Sequence, residues 1–248
     1  MTTKKKTAKK QNAPKKSQKT AEHPLKGRDI LVKALENEGV KVIFGYPGGA
    51  SMEIHQGLTL SKKIRMVLPR HEQGGSFAAG GYARATGDVG VCLATSGPGA
   101  TNLITGIIDA KMDSIPMVAI TGQVPTTVLG SDAFQETDVT GVTLPITKHN
   151  YLVSDVNEIA STIHEAMYVA RSGRPGPVLV DITKDAQQLS TELEWDPSDV
   201  KLPGYAPDLR ATEAEYQRAA DLINRAKRPV IFAGHGVMLS GAMRQVLD

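Results

Sequence analysis

The 248 residues contain a single cysteine, Cys92, which rules out an internal disulfide. It lies in the apolar run VGVCLAT at residues 89–95, where a small buried hydrophobe is expected rather than a nucleophile, and a reducing cytoplasm fits. No apolar stretch approaches the ~18 residues of a bilayer-crossing helix, and the N-terminus lacks the apolar core of a secretory signal, so neither a membrane span nor export is expected. Acidic residues are absent from residues 1–21, which hold eight of the 29 Lys and Arg. The other 21 face 26 acids, a net −5, so the folded part has no basic face of the kind that nucleic-acid phosphates require. Nucleic acid is therefore not an expected partner, the basic tail being the one candidate for weak binding. That tail has too little apolar surface to offset the entropy of ordering, and residues 1–26 are expected to be disordered. Its cations are Lys rather than Arg and lack amphipathic spacing, which argues against an organellar transit peptide and for a cytoplasmic location.

From residue 27 to about 182 the chain alternates helical periodicity with short apolar runs, the pattern of an α/β fold in which a parallel sheet is covered by helices. Strands are expected at residues 42–46, 64–68, 89–94, 117–121 and 178–182, and helices at 29–38, 51–58, 72–85, 98–110 and 157–172. Residues 27–186 make the first domain. Residues 187–211 lose periodicity and gather Pro, Asp and Ser, as an interdomain linker does. A second α/β domain is expected over 212–248, with a helix at 213–226, a strand at 229–233 and a further helix after Gly234-His235-Gly236. Those elements cannot close a core, so the expectation is the front part of a longer protein.

Three glycine-rich turns each follow an expected strand and open an expected helix: GYPGGAS at 45–51, TSGPGATN at 95–102 and AGHGVMLSG at 233–241. None carries the Lys of a phosphate-binding P-loop or the full G-x-G-x-x-G spacing. Each is either a tight turn or a ligand loop, and two at the carboxyl ends of strands in one sheet favour a ligand. Glu72, after the expected strand end Leu68-Pro69-Arg70-His71, projects from the same edge. A carboxylate in a first helical turn is either a favourable partner of the helix dipole or a functional group. His71 needs no more than a structural or surface role.

The ordered blocks FGYPGGASMEIH, LPRHEQGGSFAAGGYARATG, TSGPGATNLITGIIDA, SIPMVAITGQVP, SDAFQETD, ITKHNYLV and SGRPGPVLVDITKDAQQ resemble the first domain of acetohydroxyacid synthase catalytic subunits, from about residue 27 onward. The resemblance implies a pyrimidine-binding domain for thiamine diphosphate, with Glu72 at the position of the glutamate that shares a proton with the cofactor's ring nitrogen. It further implies that Gln135 lies near the cofactor and the reacting carbon, and that Gly49 and Ala50 approach the cofactor across a subunit boundary. Ser114 and Arg174 stand at flavin-contacting positions, although Arg174 between Gly173 and Pro175 also suits a loop cap. Pro125, Phe134, Lys148 and Lys184 stand at positions lining the substrate channel. Thr126 and Thr127 replace residues that are often basic in the family. FAD is implied as a structural cofactor of the second domain, and Mg²⁺ as one whose ligands lie outside this chain. The implied reaction is thiamine-diphosphate-dependent decarboxylation of pyruvate and its ligation to a second 2-oxo acid, by a homodimer or homotetramer with a possible small regulatory subunit. Pyruvate oxidase, glyoxylate carboligase, a flavin-independent catabolic acetolactate synthase and an inactive fragment are the alternatives.

Overall fold

Three segments are buried at every residue, GVCLA, MVAITGQ and PVLVDIT, and such unbroken runs are what the middle of a parallel sheet requires, since helices cover both faces. The structure, a computed structural model, describes residues 20–193, 202–207 and 210–248. Its strands are β1 (Thr20–Lys26), β2 (Val42–Gly45), β3 (Arg65–Val67), β4 (Gly90–Ala94), β5 (Met117–Gln123), β6 (His149–Val153), β7 (Pro177–Thr183) and β8 (Ser190–Leu193). The helices of the first domain are α1 (Gly27–Asn37), α2 (Met52–Leu60), α3 (Glu72–Thr86), α4 (Pro98–Thr101), α5 (Ile104–Met112), α6 (Val139–Thr143), α7 (Ile159–Arg171) and α8 (Lys184–Gln188). Beyond them lie α9 (Glu213–Arg225), α10 (His235–Leu239) and α11 (Met243–Leu247).

β2 to β7 form one six-stranded sheet in the order β3-β2-β4-β5-β7-β6, every pair parallel. One face is packed by α1, α2 and α7 through Leu31, Leu35, Ile54, Leu58, Ile159 and Ile163. The other is packed by α3 and α5 through Ala79, Ala83, Ile107 and Ala110, small residues on α3 letting the two helices lie close to the strands. Cys92 is fully buried in this second layer, and burial pushes its thiol up to about 12, so it is the inert hydrophobe expected. Among the described residues no helix is long and apolar enough to cross a membrane.

The parallel α/β reading holds, with four differences. β6 has a mixed burial pattern, as a one-sided edge strand does, and its short run HNYLV escaped the sequence reading. The helix expected at 98–110 is two, α4 and α5. Residues 20–26, expected within the disordered tail, form β1, which pairs antiparallel with β8 inside the expected linker; each strand satisfies the other's backbone groups, which neither could do alone. The strand expected at 229–233 is absent: Val230, Ile231 and Phe232 are 76%, 75% and 95% exposed, and an apolar run without a neighbouring strand among the described residues has no ladder to join. Residues 1–19, 194–201 and 208–209 lie outside the described residues.

Candidate active site

The strand order reverses between β2 and β4: the chain leaves β2 for the outer strand β3 and returns on the opposite side. The turn after β2 leads to α2 on one face, and the turn after β4 leads to α4 and α5 on the other. Such a reversal leaves a crevice at the carboxyl ends of the two strands, the favoured ligand position in open α/β sheets. Both glycine turns of the first domain open into it. Ala50 N–H donates to Thr95 Oγ1 at 3.1 Å, joining the two turns.

Glu72 enters the crevice from β3 as the first residue of α3. Its neighbour His71 is the N-cap, with Nδ1 accepting from the Gln73 N–H at 3.1 Å, so the structural reading of His71 holds. The Glu72 carboxylate is half-buried, and Oε2 accepts from Asn102 Nδ2 at 3.1 Å. Oε1 carries no hydrogen bond from the described residues, and it faces Gly99. A Cβ at Gly99 would stand 2.7 Å from Thr95 Cγ2 and 3.4 Å from Glu72 Oε1, so the glycine keeps backbone and carboxylate close. Asn102, the last residue of the second turn, was not singled out from the sequence; its place three residues beyond Gly99 was the available signal.

Gln135 reaches the same turn from β5. Its backbone carbonyl would lie 2.5 Å from a Cβ at Gly97, where φ is +52°, so only a glycine lets the two segments meet. Gln135 itself is held at φ +57°, an uncommon backbone for a side chain of its size. Its side chain is exposed beside Phe134, which is 88% exposed. Pro125 follows β5 and caps a short 3₁₀ turn, and Lys184 follows β7 as the first residue of α8. Gly49, Ala50, Glu72, Pro125, Phe134, Gln135 and Lys184 thus all lie at the carboxyl edge.

Three of the predicted residues lie elsewhere. Ser114, Lys148 and Arg174 directly precede β5, β6 and β7 or lie in the loops leading to them, at the amino edge of the sheet. Lys148, a channel candidate, is engaged within this chain: Nζ donates to the carbonyls of Val169 and Ser172 and to Tyr205 Oη at 3.1 Å, which satisfies the C-terminal end of α7. Arg174 Nε donates to Ser114 Oγ at 2.7 Å, so the two flavin candidates are brought together, remote from Glu72.

Buried polar groups support the carboxyl edge from below. Gln187 Nε2 donates to Ala50 O at 2.9 Å and Ile182 O at 2.8 Å. Asp181 is 1% exposed, and burial pushes its carboxyl up to about 6, against hydrogen bonds from Thr121 and Gln123 that favour the ionised form. Burial lowers the pKa of His55, whose Nδ1 lies against Ser51 O at 2.9 Å. Among the described residues no group of three or more His, Cys, Asp or Glu could hold a metal ion.

Residues 25–142 match the family model described as thiamine pyrophosphate enzyme, N-terminal TPP binding domain. The chain is 58% identical over 217 residues to acetolactate synthase 2, chloroplastic, of Nicotiana tabacum, covering 87% of this chain and 32% of that protein. It is 56% identical over 221 residues to acetolactate synthase, chloroplastic, of Arabidopsis thaliana, with 88% and 33% covered. Against acetolactate synthase 1, chloroplastic, of Oryza sativa it is 58% identical over 221 residues, with 88% and 34% covered. The chain therefore spans about a third of the length of the relatives it matches. The cytoplasmic expectation is corrected by these relatives, whose names place them in chloroplasts and so point to a plastid instead. A lone buried thiol suits any reducing compartment, and Lys in place of Arg in an acid-free N-terminal segment does not exclude an organelle. With the carboxyl-edge crevice built from them in all but Lys184, residues 25–142 carry the N-terminal TPP binding domain of the thiamine pyrophosphate enzyme family.

Proposed function

We propose that the protein containing this chain is an acetolactate synthase, which decarboxylates pyruvate and joins the two-carbon unit to pyruvate or 2-oxobutanoate on the routes to valine, leucine and isoleucine. The observation that carries this reading is the 56–58% identity to acetolactate synthases across nearly nine-tenths of the chain. Thiamine diphosphate, when bound, supplies the carbanion that attacks the 2-oxo acid. The residues present fit its pyrimidine ring: a crevice at the strand reversal, glycine backbone at Gly97 and Gly99, and a carboxylate oxygen at Glu72 facing that backbone.

In this reading Glu72 Oε1 holds a proton against the ring nitrogen, while the Asn102 amide fixes the carboxylate through Oε2. Gln135 and Phe134 stand over the edge toward the substrate, with Pro125 and Lys184 beside them. Gly49 and Ala50 present backbone to a second subunit's cofactor, which requires a homodimer or a homotetramer; a small regulatory subunit belongs to the same proposal. FAD is the second cofactor, placed against Arg174 and Ser114 at the amino edge, and Mg²⁺ binds with the diphosphate outside this chain. Turnover by the full-length protein tests the reading. Glu72→Gln, which keeps the shape and loses the acid, is expected to reduce acetolactate formation by roughly 10²–10⁴-fold. Undiminished turnover would refute the role.

A further inference from the structure

Gln123 and Asp181 are 2% and 1% exposed, on the carboxyl halves of adjacent central strands, and neither belongs to the crevice lining described above. Polar groups so buried are costly unless bonded, so their partners state what they are for. Asp181 Oδ1 accepts from Thr121 Oγ1 at 2.6 Å, and Oδ2 accepts from Gln123 Nε2 at 2.9 Å. Gln123 Oε1 accepts from the Val124 N–H at 2.8 Å, and Nε2 also donates to Thr137 O at 2.9 Å. That last bond leaves the sheet and enters the loop that carries Gln135.

The loop is otherwise closed upon itself. The Glu136 carboxylate accepts from the backbone N–H groups of Gly130 and of Ala133, the latter at 2.8 Å, and Ser131 N–H donates to Val128 O at 3.2 Å. Among the described residues, the one side-chain hydrogen bond from the sheet into residues 129–138 comes from Gln123. The orientation of that amide is set by its neighbours. With Val124 offering a donor and Asp181 an acceptor, a flipped amide would turn its oxygen on the Asp181 carboxylate and the Thr137 carbonyl together.

We propose that Gln123 and Asp181 are positioning residues which fix the Gln135 loop over the carboxyl edge, Asp181 orienting the Gln123 amide and Gln123 tethering Thr137. The geometric part stands on these contacts alone; its consequence for turnover rests on the functional reading above. A control is built into the fold, because Gln187 holds the other loop through Ala50 O and does not touch residues 129–138.

Amide hydrogen exchange of the full-length protein, read by peptide mass, tests the proposal. Gln123→Met and Asp181→Leu are expected to speed exchange over residues 130–138 by about tenfold or more while β4 keeps its protection. Asp181→Asn, whose amide can accept from Gln123 and donate to Thr121, should stay near wild type. Gln187→Met should loosen residues 48–52 and leave 130–138 unchanged. Turnover should fall in Gln123→Met and Asp181→Leu and be retained in Asp181→Asn. If Gln123→Met does not fold, Gln123→Asn keeps the amide but falls short of Thr137, and the same confined loosening is expected. Unchanged exchange at 130–138, or equal loosening of loop and β4, would overturn the proposal. Confined loosening in these variants, together with a wild-type protein that forms no acetolactate, would leave the positioning intact and defeat the functional reading instead.

Discussion

The two edges of the sheet treat their polar side chains differently. At the amino edge charged groups are tied to one another or to helix ends: Arg171 and His164 to Glu38, Arg84 to Asp109 and Asp113, Lys148 to the end of α7. A hollow there, lined by Glu38, Lys41, Tyr82, Asp88 and Arg171, is ringed by charges that pair across it, Arg171 with Glu38 and Lys41 with Asp88. At the carboxyl edge Gln123 and Gln187 are buried beneath the loops and bond their backbone, with Asp181 holding the Gln123 amide, while Gln135 and Phe134 remain exposed and one oxygen of Glu72 faces the crevice. One edge uses side chains to close the domain, and the other uses them to hold loops still, leaving groups available above.

The contrast is open to attack in three ways. The largest expected effect is at Asp181. With its carboxyl held near 6 against an ordinary 3.8, the folded state binds the proton more tightly than the unfolded one. This contribution to stability is present below about pH 4 and is lost as pH rises through 6, a swing of up to about 3 kcal/mol. His55 acts in the opposite sense: its pKa is lowered by burial, so acidification below its ordinary 6.5 favours the unfolded chain. Asp181→Asn should therefore raise the melting temperature at pH 7.5 and make it fall more steeply between pH 6.5 and 4.5 than in wild type, as calorimetry would record. Parallel pH profiles for the two proteins would contradict the assignment.

Next in size is Lys148→Met at the closing edge, which removes a cation from the carbonyl end of α7 and is expected to cost about 2 kcal/mol. Denaturant titration should show that loss, with the KM for pyruvate of the full-length protein unaltered. A raised KM with unchanged stability would place Lys148 in the substrate channel instead. The smallest effect is expected for Asn102→Ala at the open edge: about tenfold in turnover, equivalent to ~1.4 kcal/mol, with a melting temperature near wild type.

Much of this plan is legible in the residues. The runs GVCLA, MVAITGQ and PVLVDIT announce central parallel strands because nothing but an apolar run survives burial on both faces, and the place of Glu72 between a strand end and a helix start marks it as a candidate whose role only the family resemblance supplies. The edge strand β6 is not legible, since five residues of mixed burial look like loop until β7 lies beside them. The division of candidates between edges was equally hidden. Ser114, Lys148 and Arg174 sit in loops that read like those of Pro125 and Lys184, and only strand direction distinguishes a loop entering the sheet from one leaving it. The Gln123–Asp181 pair could not be seen because its meaning depends on Thr137, which chain position alone does not bring near either residue.

The central claim is that the carboxyl-edge crevice receives the pyrimidine ring with Glu72 against it. A crystal structure of the full-length protein with thiamine diphosphate tests this directly. The account predicts a Glu72 carboxylate oxygen at roughly 2.6–3.2 Å from a ring nitrogen, with Asn102 on the other oxygen. A ring bound elsewhere, with no carboxylate of residue 72 in hydrogen-bonding reach, would contradict it.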